Sequence, residues 1–165
     1  MEQLLSTPVR PAEVVLGKML AFFALGFVDT LMSVAVGVLV FDVPLRGSLL
    51  LLIGATSIFL FGSLCWGILV SAVARSQVLA YQLGMLSSFL PGLLLSGFVY
   101  SLENMPAVIQ LISYIVPARY IVTVLKGVFL KGVGLEILWG QVALLVAFSA
   151  IVFVIATKKL RQKVA

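Results

Sequence analysis

SLENMPAVIQLISYIVPARYIVTVLKGVFLKGVG, residues 101–134, is apolar enough for membrane depth yet broken by Pro106, Pro117, Gly127, Gly132 and Gly134. Pro106 to Val116 is about eleven residues and Ala118 to Leu130 about thirteen. At about 1.5 Å per residue each piece is near half of a hydrocarbon core of about 30 Å, so neither can cross alone. The spacing predicts two short helices that dip into the outer leaflet and turn back. Asn104 is placed to cap the first, with Pro106 in its first turn and Pro117 stopping it. Backbone that re-enters in this way needs shielding by protein or by a water-filled cavity, which implies more protein around it than 165 residues offer.

On both sides of this stretch lie runs long enough to span. They are Val14 to Val40, Ser48 to Val73, Val78 to Tyr100, and Leu135 to Thr157. The expected fold is therefore an all-α membrane protein with four transmembrane helices and a re-entrant helix pair between the third and fourth. Composition agrees: 62% of residues are hydrophobic and 10% charged, with a mean hydropathy of +1.25. No soluble arrangement could cover that apolar surface, and disorder is excluded on the same ground. An even number of spans puts both ends on one side. Arg10, Lys18, Arg75 and the C-terminal Lys158, Lys159, Arg161 and Lys163 fall on that side, against Arg46, Arg119, Lys126 and Lys131 on the other. This excess predicts cytoplasmic termini. The first residues, polar and broken by Pro8 and Pro11, carry no basic leader and no cleavage signal.

Several chemistries are excluded. Histidine is absent, so neither a Ser-His pair nor a His-ligated metal site can form. The nearest approach to a nucleotide-binding loop, Gly127 to Gly132, is followed by Val133 where Gly-Lys-Ser/Thr is needed. Acidic residues are scattered, and the single cysteine, Cys65, permits no internal disulfide. The net charge of +5 is concentrated in a tail directly after an apolar run, which fits anionic lipid rather than nucleic acid. No residue reads as catalytic.

Asp29, near the middle of the first span, is costly in a bilayer and is expected to face the bundle interior or a wet cavity. It is a candidate for a substrate or proton route; protonation, or a hydrogen bond to Ser33 one turn on, are the plainer readings. Lys18 is expected to reach the interface. Gly84, Ser88, Gly92 and Ser96 form a small-residue ribbon, and Ser63, Gly67 and Ser71 another; both are read chiefly as helix-packing surfaces. Pro91 frees the carbonyl of Ser87 and should kink the third span. Ser88, Pro91, Gly92 and Ser96, with Asp29, are the candidate path residues. Tyr100, Tyr114, Tyr120 and Trp139 are expected in an interfacial aromatic belt.

Two strings carry a family resemblance. MEQLLSTPVRPAEVVLGK at the N-terminus resembles the stretch after the cytoplasmic coupling helix of type 2 ABC exporter permeases of the bacterial multidrug branch, and LPGLLLSGFVYSLENMPAVIQLISYIVPARYIVTVLKGVFLKG resembles their re-entrant helices and connections. The resemblance implies the C-terminal part of an exporter transmembrane domain: a cytoplasmic approach segment over 1–13, a helical bundle over 14–157 and a basic tail over 158–165. It implies a non-enzymatic permease subunit in the bacterial inner membrane, paired with a second permease chain. A separate nucleotide-binding subunit would hold ATP and Mg. Glu2, Gln3, Leu5, Thr7 and Arg10 would then lie at the contact with that subunit. Glu103, Asn104, Pro106, Tyr114, Pro117, Arg119 and Tyr120 would form the extracytoplasmic gate. Two other readings stay open: an ion- or proton-coupled transporter subunit using Asp29, and a fragment that moves nothing.

Overall fold

The computed structural model describes residues 11–164, and among these every regular element is helical. Three of the apolar runs become long helices: α1 (Pro11–Leu39), α2 (Leu49–Val73) and α7 (Leu135–Val164). Each contains 25 residues apolar enough to cross a membrane, Val15–Leu39, Leu49–Val73 and Leu135–Lys159. The last helix does not end at Thr157; it continues through the basic Lys158 and Lys159, so the tail is an extension of α7.

The run expected to be the third span departs from a simple helix. It consists of α3 (Gln77–Gly84), a widened π-turn (Met85–Phe89) and α4 (Leu90–Leu94), 18 residues in all. Pro91 has no N–H to give to the carbonyl of Ser87, and the turn before it widens until the Leu90 N–H reaches back five residues to Met85. The chain leaves the helix at Leu95, short of the expected Tyr100. Gly97 adopts a left-handed φ of 78°, and the buried Ser96 hydroxyl accepts a hydrogen bond from the Phe98 N–H at 3.2 Å. That local bond competes with helix continuation.

Beyond a 3₁₀ turn (Leu102–Asn104) come α5 (Ala107–Ser113), α6 (Pro117–Lys126) and a second π-turn (Gly127–Lys131). The segment Pro117–Lys131 bends 90° from α5, giving either one broken span or a loop that turns back. Two details differ from the sequence expectation. Asn104 sits inside the 3₁₀ turn and does not cap α5; Pro106 occupies the cap position, without a side-chain hydrogen bond. Pro117 does not stop α5, which has already ended at Ser113, but opens α6, where its missing N–H leaves no intrahelical bond unmade.

The core lies where α2, α6 and α7 meet, around Leu52, Val124, Val128 and Leu145. The tightest helix approach is at Gly62, where an added Cβ would stand 2.5 Å from the Ser149 Oγ; that hydroxyl donates to the Ile58 carbonyl at 3.0 Å. The ribbon read for packing on α2 does not make the α7 contact: Ser63, Gly67 and Ser71 line an open groove against α1, and it is Gly62 that seats α7. None of the apolar stretch of α1 is buried; its closest seat is Gly26 against Leu60. At the far end of the bundle, the Gly47 N–H donates to the Val128 carbonyl at 2.9 Å, and Gly132, at φ 62°, faces Arg46.

Candidate functional site

The widened turn before Pro91 opens the site. A π-turn carries an extra residue, so its side chains leave the regular register and the helix surface gains a notch. Trp66 on α2 reaches into this notch, its Nε1–H donating to the Ser87 Oγ at 3.1 Å. Next to that contact lies a cavity of about 340 Å³. Its walls are Phe59, Ser63 and Trp66 from α2, Ser87, Ser88, Pro91, Gly92 and Leu95 from the third run, Ile112 to Ala118 in part from the bend, and Phe148 from α7. Among the described residues no charged side chain contributes to these walls, and the polar groups are serine hydroxyls, the indole and backbone. Such a lining suits an uncharged, largely apolar group.

The bend that roofs the cavity is held by side chains of its own. The Arg119 Nη1 donates to the Ser113 Oγ and, at 3.2 Å, to the Gln110 carbonyl, while the guanidinium lies 3.8 Å over the Tyr114 ring. The Tyr120 hydroxyl donates to the Tyr114 carbonyl at 2.5 Å, and the Gln110 amide to the Met105 carbonyl at 3.0 Å. Among the described residues no carboxylate pairs with Arg119; its charge is met by oxygen dipoles and an aromatic face. A second cation, Lys126 on α6, donates to the Gly97 carbonyl at 2.5 Å and ties the unwound end of the third run to the bend.

Of the candidate path residues, Ser88, Pro91 and Gly92 line the cavity. Gly92 also lets α4 approach α6, with an added Cβ only 3.8 Å from the Ala118 Cβ. Ser96 is buried but outside the lining. Asp29 lies on an exposed face of α1, and no hydrogen bond to Ser33 forms. Of the candidate gate residues, Tyr114, Pro117, Arg119 and Tyr120 come together at the bend, whereas Glu103, Asn104 and Pro106 are exposed on the approach to α5. Tyr120 is 8% exposed, so it belongs to the core and not to an aromatic belt, unlike the exposed Tyr100, Tyr114 and Trp139. The candidate subunit-contact residues Glu2, Gln3, Leu5, Thr7 and Arg10 lie outside the described residues.

Sequence reasoning missed Trp66, Ser87, Gln110, Ser113 and Lys126. The one available signal was that Arg119 and Lys126 stand in an apolar stretch without a nearby acid, so that each must find neutral acceptors.

Comparison with known proteins agrees with the architecture. Residues 1–130 match the ABC-2 type transporter family. The chain is 41% identical over 154 residues, 93% of its length, to the probable multidrug ABC transporter permease YbhS of Escherichia coli, covering 41% of that protein. It is 28% identical over 164 residues to the probable multidrug ABC transporter permease YbhR of the same organism, covering 99% of this chain and 44% of that one. Over 155 residues it is 30% identical to ABC transporter G family member 20 of Dictyostelium discoideum, 94% of this chain and 21% of the relative. The chain thus spans less than half the length of these relatives. No solved structure matches.

Proposed function

The chain belongs to the ABC-2 type transporter family, and from that premise we propose that it supplies part of the membrane pathway of an ATP-driven exporter. In this reading it is a permease subunit, with ATP hydrolysed on a partner chain. Both termini lie in the cytoplasm, Glu2 to Arg10 border the ATPase contact, and a second permease chain completes the pathway. The cargo is a hydrophobic or amphipathic compound.

The observation that carries the reading is the cavity between the notch at Pro91 and the bend at Pro117. Ser88, Pro91 and Gly92 form its inner wall and the bent pair its outer one. An apolar chamber lined by hydroxyls and aromatic rings gives an uncharged cargo a place to rest. The bend, re-entering the outer leaflet, closes it from outside. Closure of ATP-bound partner subunits would move the helices that frame this chamber, so the chain contributes path and gate without chemistry.

The test is ATP-dependent transport by proteoliposomes containing the permease and its ATPase. Gly92→Leu fills the cavity and wedges α4 from α6, and should lower transport at least about tenfold while ATPase association is retained. Undiminished transport with the cavity filled, or transport indifferent to ATP, overturns the proposal.

A further inference from the structure

A second recess lies between α2 and α1, sharing only Ser63 with the cavity at Pro91. It is an open groove of about 520 Å³. Val15, Lys18, Met19 and Phe22 form one wall at helical spacing, and the Ser63, Gly67 and Ser71 ribbon forms the other. Gly67 meets nothing within 4 Å of an added Cβ, so the missing side chain leaves free space and not a helix contact.

The groove is chemically polarised along its length. The helices are antiparallel, with Gly26 against Leu60, so the Val15–Lys18 end of the groove is also its Ser71–Ala72 end, and the Phe22 end is its Ser63–Leu64 end. Lys18 is exposed, with no carboxylate beside it among the described residues. Among the described residues the Ser71 hydroxyl makes no hydrogen bond, whereas that of Ser63 is satisfied by the Phe59 carbonyl at 2.8 Å. One end therefore offers an ammonium and an unused hydroxyl, and the remainder offers only hydrocarbon. Arg75 follows Ser71 by four residues, just past the end of α2, and adds positive charge to the same end of the bundle.

We propose that this groove binds one anionic phospholipid, its phosphate held at Lys18 and Ser71 and an acyl chain lying along Met19, Phe22 and Gly67. A lipid satisfies both halves of the surface at once: the charge at the membrane interface is complementary to the lysine, and the trench has the width left by a missing side chain. An apolar protein helix would fill the trench and leave the ammonium without a counter-charge. The inference goes beyond the transport cavity and requires that α1 and α2 lie in a bilayer with this groove facing lipid.

The test reads lipid retention, so a failed transport assay does not affect it. Protein purified from membranes is placed in nanodiscs of mixed phosphatidylglycerol and phosphatidylcholine, and bound lipid is identified by native mass spectrometry. Wild type should retain phosphatidylglycerol preferentially. Lys18→Gln should lower that preference roughly fivefold, the discrimination one lysine gives at a lipid surface, and Lys18→Arg should restore it. Gly67→Phe should reduce retention of both lipids by filling the trench. Equal retention by wild type and Lys18→Gln, or retention unaffected by Gly67→Phe, overturns the proposal. So does cross-linking of Ser71→Cys to another protein helix seated in the groove; the native Cys65, 1% exposed, does not compete for the reagent.

Discussion

Trp66 and Ser87 are joined side chain to side chain at 3.1 Å, and this bond anchors the widened turn of the third helical run to α2. Trp66→Phe keeps the ring and deletes the donor. The loss is expected to destabilise the protein by about 1 kcal/mol, as for an ordinary hydrogen bond, and to speed amide exchange over residues 85–94. Ser87→Ala should do the same, and the double variant should be no worse than either single one, measured as thermal unfolding in detergent.

Pro91 is the cause of the widened turn. In Pro91→Ala the new N–H satisfies the Ser87 carbonyl, and the run is expected to return to regular α geometry. Removing one residue's worth of register rotates α3 by about 100° relative to α4, which separates Ser87 from Trp66. In a Trp139→Phe background, which leaves Trp66 as the sole indole, its fluorescence should shift. An unchanged spectrum would mean that the turn is held by something other than the proline.

Arg119 fastens the bend through one nitrogen shared by Ser113 and Gln110 and through the ring of Tyr114. Arg119→Ala should cost about 2 kcal/mol, the range of hydrogen bonds to a charged group. Arg119→Lys should recover only part, because an ammonium lacks the flat face that lies on the tyrosine. Thermal unfolding gives the stability. A disulfide trap across α5 and α6 should form more slowly in both variants as the 90° angle loosens.

The two neighbouring glycine positions on α2 separate packing from open groove. Gly62→Ala drives a Cβ into Ser149 and should destabilise by about 1–3 kcal/mol, the usual penalty of overpacking. Gly67→Ala meets no atom and should be neutral or slightly stabilising through helix propensity. Thermal unfolding of the pair decides; equal effects would contradict the seating of Gly62 against Ser149 of α7.

Much of the architecture is legible in the residues themselves. The helices α1, α2 and α7 follow from apolar runs that only a bilayer can solvate, and the start of α6 at Pro117 follows from the fixed geometry of proline. The third run is shorter than its hydropathy suggests: apolar character continues to Tyr100, while the helix ends where Ser96 and Gly97 offer the backbone another hydrogen bond. Ser88, Pro91 and Gly92 line the cavity because small residues and proline leave the helix surface irregular. Trp66, Gln110 and Ser113 are not legible in this way, because their contacts exist only once α2 has packed on the widened turn and the chain has bent through 90°. Tyr120 resembles an interfacial aromatic in sequence, and only its bond to the Tyr114 carbonyl shows that it faces inward.

Residues 46–47 and 128–132 are interlocked. A backbone hydrogen bond joins Gly47 to Val128, and an added Cβ at Gly47 or Gly132 would stand 3.0 Å from the opposing chain. Neither strip can slide past the other. Any displacement of the bent pair is therefore transmitted directly to the connection between α1 and α2.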